Sequence, residues 1–384
     1  MLARVKEFNA QHAGVEVEAI FAPSATYMDK INALSAAGTP PEVMQIDGTV
    51  MASVVDKQLV QRLDPFIKAD RAFKLDAFLP GALADRHHLF GGVYYGLPNQ
   101  SESPRVLFYN KRRVVEASAA LPNTLEAQGK WTWDAYVDLA TKLSKGSSPD
   151  RTYGGNADLG IGPEGYSWMA SNGGRILADD LKSCVIDEKA TADTIQFLAD
   201  LIHKHRVAPA PGESLGAGDP FATGRQLMFN GGIWRGAPLN SIKDLEYGVA
   251  PLPKSPKGQR RSVVKPNALT LPVSVTGQKA ATAWELIKFI TGPSYQQGLI
   301  KDGLAMTNLK ELGDFFLQNT PVKDAQVFLD AFEKREVAAL PFVARWAEFA
   351  TIANEELTKV RQGEVGVPAA AAQIKSRGNE VLRS

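Results

Sequence analysis

The side chains that most often carry catalysis or bind metal are few in this sequence, and their spacing suits neither task. His87 and His88 are adjacent, and His203 and His205 are two apart, whereas a helical zinc pair needs a four-residue step. His203-Lys-His205 reads instead as the end of a helix, where cationic side chains are favoured. No Walker A motif occurs, and the chain is expected to hold neither a dinucleotide-binding glycine fingerprint nor a nucleophile elbow; Gly91-Gly92-Val-Tyr-Tyr-Gly96 fits neither glycine pattern. Cys184 is the sole cysteine, which excludes an internal disulfide, and it reads as a small core residue. Glycosidase carboxylates have no fixed sequence spacing, so Asp47 and Glu102 leave a hydrolytic reading open. Neither a cofactor nor a metal is implied.

The elements that would position any site follow an α/β rhythm. Leu2 to Asn9 reads as a helix, and Val15-Glu-Val-Glu-Ala-Ile-Phe21 alternates as a strand with one buried face. Pro23 to Thr26 is a turn, Tyr27 to Ala37 a helix, and Glu42 to Ile46 a short strand ending at Asp47-Gly48. This order predicts a parallel sheet with crossover helices, with Asp47 at a strand's carboxyl end, where open α/β sheets bind ligands. Val93 to Pro98 and Arg105 to Asn110 read as strands flanking the polar turn Asn99-Gln-Ser-Glu-Ser103. Thr132 is placed to cap the helix Trp133 to Leu143. Tyr153 to Asp158 reads as a strand, Gly162-Pro163 opens a helix ending at Asn172-Gly173, and a long helix spans Ala190 to His203. Asp219-Pro220 begins a short helix, and Gln226 to Phe229 and Ala268 to Leu271 read as strands. Lys279 to Pro293 is an amphipathic helix with Ala280, Trp284, Ile287 and Ile290 on one face, stopped by Gly292-Pro293. Ala344 to Val360 is the last clear helix before the terminus. There is no internal repeat, and Pro368-Ala-Ala-Ala-Ala372 is the one short biased run.

Bulk properties narrow the class. A chain of 384 residues is long for one compact core, so two lobes are expected. Its composition, 44% hydrophobic and 22% charged, is that of a water-soluble globular protein. A net charge of +1 argues against nucleic acid as a partner. No apolar run approaches the ~18 residues of a membrane span.

Six segments, in order, resemble the family 1 extracellular solute-binding proteins, the maltose-binding-protein-like subunits of bacterial ABC sugar importers. They are Phe8-Asn-Ala-Gln-His-Ala-Gly-Val-Glu-Val17; Ala36-Ala-Gly-Thr-Pro-Pro-Glu-Val43; Gly92-Val-Tyr-Tyr-Gly-Leu-Pro98 with Leu107-Phe-Tyr-Asn-Lys111; Leu121-Pro-Asn-Thr124 leading to Trp131-Thr-Trp-Asp134; Gly224-Arg-Gln-Leu-Met-Phe-Asn-Gly-Gly-Ile-Trp234; and Lys279 to Pro293 with Ser294-Tyr-Gln-Gln297. The resemblance implies a type II-like, two-lobed periplasmic-binding-protein fold, with lobe one at 1–108 plus 266–312 and lobe two at 109–265 plus 313–384. It implies a monomer that captures a carbohydrate between the lobes without chemistry and delivers it to membrane permease subunits. In the family a strand and a signal peptide precede the opening helix, so the first strand and the export signal to the periplasm are expected upstream of Met1. A carrier of glycerol phosphate or another anionic solute shares the same scaffold and stays open beside the hydrolase reading.

A sugar site needs aromatic faces for the ring and planar polar groups for the hydroxyls. The resemblance makes Trp234, flanked by Gly231-Gly232 and Arg235-Gly236, the stacking tryptophan. Trp168, with Asn172 one turn later and Gly173, lies where the family has cleft residues, though Trp168 equally suits a core and Asn172 a helix cap. Trp346 starts a helix that often faces the cleft, but it shares a stripe with Phe349, Ala353, Leu357 and Val360; Arg345 points elsewhere and has Glu348 as a rival partner. Asp47 suits ligand or turn. Asn99, Gln100 and Asn267 lie near the expected interlobe crossings, and Thr26 begins a helix. Arg235, Arg345 and Lys265 are cations that would favour an acidic or sulfonate-bearing sugar, and ordinary surface charge explains them at least as well. Trp133 and Trp284 are assigned to cores.

Overall fold

The computed structural model describes residues 2–22, 24–98, 103–213 and 215–383. Its strands, in chain order, are β1 (Met44–Ile46), β2 (Leu89–Phe90), β3 (Val93–Tyr94), β4 (Leu97–Pro98), β5 (Val106–Asn110), β6 (Met228–Gly231), β7 (Tyr247–Ala250), β8 (Ser262–Val264), β9 (Ala268–Thr270) and β10 (Val337–Ala339). They build two three-stranded sheets, β1-β9-β4 and β6-β5-β7, a parallel pair β8-β10 and the hairpin β2-β3. The chain passes from the first sheet to the second between β4 and β5, and returns between β8 and β9.

Val106-Leu-Phe-Tyr109 is an uninterrupted apolar run, the pattern of a strand covered on both faces. Side chains alternate across a strand. Val106 and Phe108 accordingly pack with Phe229, Val249, Phe316 and Phe328, and Leu107 and Tyr109 with Trp131, Tyr136 and Leu139. In the first sheet, Met44, Ile46 and Ala268 share a core with Ile31 and Met51. On the helix Gly277–Thr291, Trp284 and Ile287 cover Leu97, Leu269 and Leu271. Trp284 is 4% exposed, and its indole N–H donates to Asp70 Oδ2 at 3.2 Å. Cys184 and Trp133 are likewise buried, as their sequence contexts suggest.

The helices match the sequence reading where a cap or breaker marks them. Thr132 Oγ1 accepts from Ala135 N at 3.3 Å and starts the helix Trp133–Leu143. Gly292 ends one helix, and Pro293 begins the next at its first position, where the missing proline N–H costs nothing. The helix Lys189–His203 ends at the histidine.

Other expectations fail for identifiable reasons. The segment Val15 to Phe21 joins no sheet. Its amides find local partners: Val15 N donates to His12 O at 3.1 Å and Val17 N to Asn9 Oδ1 at 3.0 Å. A groove of about 430 Å³ separates it from β1, lined by Ile20, Phe21, Tyr27, Ile31 and Phe289. The Tyr27 hydroxyl accepts from Gln45 N at 3.2 Å on β1. Alternation alone cannot make a strand without a neighbour for its backbone groups. The expected parallel sheet therefore does not form among the described residues: both three-stranded sheets pair antiparallel, and only β8-β10 is parallel. Tyr153 to Asp158 makes one isolated bridge, Tyr153 with Gln226, rather than a strand. Asp219 caps a turn, accepting from Phe221 N at 2.9 Å, and no helix follows. A further helix, Val367–Arg383, follows the last one expected from the sequence, and its Ala370, Ala371 and Ile374 pack against Phe349, Ala353, Leu357 and Val360 of the helix Trp346–Gln362.

The Thr132 cap is testable. Thr132→Ala leaves the Ala135 amide without its side-chain acceptor and should cost about 1 kcal/mol, read as a lower urea midpoint with an unchanged denaturant slope. An unchanged midpoint would mean the cap contributes nothing.

Candidate functional site

The strand register fixes where the two sheets meet. β5 begins at Val106, directly after one crossing, and Val106 lies opposite Gly231, the last residue of β6. β9 begins at Ala268, directly after the other crossing, and Ala268 lies opposite Ile46, the last residue of β1. The residues that follow Gly231 and Ile46 are thereby delivered to the junction. They include Trp234 and Asp47.

Trp234 sits in a short 3₁₀ turn, Ile233–Arg235, and is 40% exposed. Its indole folds back over Gly232, where a Cβ would lie 1.9 Å from the ring; only glycine permits that approach. The Ser103 hydroxyl accepts from Ile233 N at 2.8 Å and anchors the turn. The Arg105 guanidinium lies 4.6 Å from the indole centroid, and Arg105 Nε donates to Glu164 Oε1 at 2.8 Å. Asn230 donates to the Glu164 backbone carbonyl at 3.1 Å. Asp158, partly buried, accepts from Asn156 Nδ2 at 2.6 Å and from Trp168 Nε1 at 3.4 Å. Desolvation, aided by nearby Glu164, pushes its carboxyl up to about 7. Arg105, Glu164 and Asp158 were missed in the sequence, where nothing about an arginine before an apolar strand, or two acids near a glycine-rich turn, separates them from surface charge.

On the facing side, Asp47 caps the helix Gly48–Asp56 by accepting from Thr49 N at 2.8 Å, and it accepts from Lys265 Nζ at 2.7 Å. Burial would raise its carboxyl, but Lys265 and the Thr49 bonds outweigh that and hold it below the usual range. Asp47 is thus both a helix cap and a carboxylate at the junction. Asn267 lies on the crossing with its side-chain oxygen buried and without a hydrogen-bond partner.

Several sequence-chosen residues are elsewhere. Trp168 is 1% exposed, enclosed by Trp133, Tyr136 and Phe197 at 5.3–5.8 Å between ring centroids. Its faces are spent on the core, which corrects its assignment to the ligand. Trp346 is 4% exposed between Phe342 and Phe349 and is corrected likewise. Asn172 is the C-cap of the helix Pro163–Ser171, and its amide donates to Ala190 O at 3.1 Å and Thr194 Oγ1 at 3.2 Å; it ties two helices together. Gly173 supplies the left-handed residue after that helix, at φ +71°. Arg235 pairs with Asp219 and lies 4.7 Å over the Phe229 ring. Arg345 pairs with Glu348, Nε to Oε1 at 3.0 Å, on the surface. Thr26 is exposed in the first turns of the helix Ser24–Ala36. Asn99, Gln100 and Glu102 lie outside the described residues.

Two motif readings need correction. Gly160-Ile-Gly-Pro-Glu-Gly165 does match G-x-G-x-x-G, and Gly212-Glu-Ser-Leu-Gly216 matches G-x-S-x-G. Both patterns require a strand immediately before them. Gly160 follows an irregular segment, and the pentapeptide lies between the helix ending at His203 and β6. Neither has the context its chemistry requires.

Beside the Asp47 turn lies a buried histidine pair. His87 and His88 are 0% exposed, and their ring nitrogens have no hydrogen-bond partners in good geometry. A Cβ on Gly48 would meet His87 Nδ1 at 2.8 Å and Pro266 O at 2.7 Å, and the Phe342 ring is 4.8 Å from His87. Desolvation lowers His87 to about 4, partly offset by the backbone of Leu340 and Pro266. Desolvation and His87 together lower His88 to about 3.

Two lobes bridged by chain crossings, with an exposed tryptophan and polar groups gathered where the crossings enter the sheets, define a two-lobed ligand-binding protein. The chain belongs to the bacterial extracellular solute-binding protein family, whose model matches residues 1–297. It is 27% identical over 266 residues to a galactooligosaccharide-binding protein of Bacillus subtilis, covering 67% of this chain and 58% of that protein. It is 28% identical over 185 residues to an arabinooligosaccharide-binding protein of Halalkalibacterium halodurans, covering 44% and 38%. The matches thus span less than two thirds of either relative's length. Among solved structures, an ABC substrate-binding protein of Listeria monocytogenes in complex with cycloalternan superposes with a TM-score of 0.85 at 21% identity, covering 99% of this chain and 95% of that one. The sugar-binding protein MalE of Xanthomonas citri gives 0.84 at 21%, covering 100% and 94%. No helix of the described residues is long and apolar enough to cross a membrane.

The histidine pair generates a prediction. In the unfolded chain both rings titrate near 6.5, so below that pH the unfolded state binds more protons than the folded one. Their contribution is complete above about pH 6.5 and is lost as pH falls toward 4 and then 3. Asp158 acts with the opposite sign between about 4 and 7, but two histidines outweigh one carboxyl. Denaturation free energies should therefore decline from about pH 7 to 4, and a His87→Gln, His88→Gln double variant should flatten the decline. A parent and a variant with equal slopes would reject this account.

Proposed function

We propose that this chain is the substrate-binding subunit of an ABC importer, capturing a neutral carbohydrate between its lobes and releasing it unaltered to membrane permease subunits. It would act outside the cytoplasmic membrane, in the periplasm, as a monomer. The lobes would be 1–108 plus 266–312 and 109–265 plus 313–384. The observation that carries the reading is Trp234, an indole 40% exposed at the interlobe junction and backed by a buried guanidinium. Such a rigid ring suits the C–H face of a sugar, while Glu164, Asp158 and Asp47 offer acceptors for hydroxyl donors. Oligosaccharide-binding relatives and sugar-bound structures of the same fold support the same class.

The charge arrangement favours a neutral ligand over an anionic one. Lys265 faces Asp47, Arg105 faces Glu164, Arg235 faces Asp219 and Arg345 faces Glu348. An anion would have to compete with a resident carboxylate at each cation. The hydrolytic reading is less favoured: Asp47 is committed to Lys265 and its cap, Glu164 to Arg105, and Asp158, although its carboxyl is raised, accepts from Asn156 and Trp168.

Closure of the lobes around the ligand would exclude water and present a distinct surface to the permease. Micromolar capture corresponds to about −8 kcal/mol, which stacking and several hydroxyl bonds can supply. Isothermal titration against a panel of galacto-, arabino- and maltooligosaccharides, with chromatography of the recovered ligand, tests the proposal. Binding with intact ligand is expected; turnover would overturn it. Trp234→Ala should weaken saccharide binding by roughly 2 kcal/mol, about thirtyfold, with little change in the denaturation midpoint. Undiminished affinity in that variant would remove Trp234 from the site.

A further inference from the structure

A guanidinium lies over the Trp234 indole, and the residue that carries it also belongs to the backbone passage between the sheets. Arg105 is the last residue before β5 and its side chain is 4% exposed. Among the described residues its guanidinium engages the indole at 4.6 Å, Glu164 Oε1 at 2.8 Å and the Ser103 carbonyl, to which Nη1 donates at 3.2 Å. Its own carbonyl accepts the hydroxyl of Ser262, the first residue of β8 on the return crossing. Ser103, two residues earlier, fixes the Trp234 turn through Ile233 N.

We propose that Arg105 is the positioning residue of the ligand platform, fixing the plane of Trp234 and linking it mechanically to both interlobe crossings. This inference deepens the carbohydrate-capture reading and rests on it. The chemistry explains why arginine stands there. A guanidinium is planar, so it can lie parallel to an aromatic face while its edge donates to a carboxylate; an ammonium supplies the charge without the plate. A ring already engaged by a cation on one face is a poorer partner for a second cation, so the platform suits the neutral C–H face of a sugar ring. Because the same residue bonds to Ser262, a ligand that presses on Trp234 loads the two crossings together.

The test separates positioning from simple packing. Arg105→Lys keeps a cation for Glu164 but removes the plate. Acrylamide quenching of Trp234, taken as the difference between each protein and its Trp234→Phe counterpart, should rise in Arg105→Lys without any ligand present. Glu164→Gln, at a partly exposed position, should move quenching the same way by less, and it serves if Arg105→Lys does not fold. By titration calorimetry with whichever oligosaccharide the parent binds, Arg105→Lys should bind about tenfold more weakly, equivalent to roughly 1.4 kcal/mol. In a Trp234→Ala background the Arg105→Lys change should then have no further effect, since there is no ring left to position. Unchanged quenching in both variants, or affinity losses that multiply when combined, would overturn the proposal. If the parent binds no saccharide, carbohydrate capture fails, while the ligand-free quenching still decides whether Arg105 holds the ring.

Discussion

The central strand of each three-stranded sheet is entered directly from an interlobe crossing, and the rest of the molecule's arrangement depends on that constraint. β5 lies between β6 and β7, and β9 between β1 and β4. A strand in the middle of a sheet fixes the register of both neighbours. Once β5 and β9 start at the junction, the antiparallel partners β6 and β1 must end there. Turns after those ends need no further instruction to face the space between the lobes. Backbone hydrogen bonding therefore selects the site's location, and the side chains then determine what it can grip.

Local signals made much of the fold legible. Thr132 before Trp133, Gly292 before Pro293 and the stripe Phe349, Ala353, Leu357 and Val360 each act within a turn or two of chain, so the sequence carries them openly. What depended on a distant partner was not legible. Val15 to Phe21 alternates like a strand, yet pairing needs a neighbour within ~5 Å, and a groove intervenes there. The tryptophans divide along the same line. Trp234 stood out because flanking glycines take it off any helical stripe. Trp168 and Trp346 sit on helices, where a core face and a cleft face look alike until packing chooses, and packing chose the core. Arg105 had no local mark at all, because its importance comes from the β5-β6 register that brings it under a turn more than a hundred residues away in sequence.

The junction's electrostatics are closed internally. Among the described residues Lys265 is matched by Asp47 and Arg105 by Glu164, so burying either pair would not strand a lone charge, which in a low-dielectric setting costs far more than an unmade neutral contact. Matched pairs retain spare lone pairs and N–H groups at their edges. Those suit a ligand with many weak hydroxyls, each able to donate or accept, better than one carrying a single strong charge.

The return crossing is braced at both ends. On the return path, β8 is paired with β10, and the buried Arg260 just before it reaches Glu126 on one side and Glu336, at 3.4 Å, on the other. Arg260 also donates to the Leu252 carbonyl at 3.1 Å. That end of the crossing is stiff, because bending it would separate a buried guanidinium from its partners. At the far end, Ala268 is locked into the first sheet opposite Ile46. Between them stand Lys265, Pro266 and Asn267. A change in the angle between the sheets on this strand must be absorbed by their backbone torsions, with proline fixing one of them. Lys265 holds Asp47 across that short span, so the ion pair ties the crossing to the end of β1.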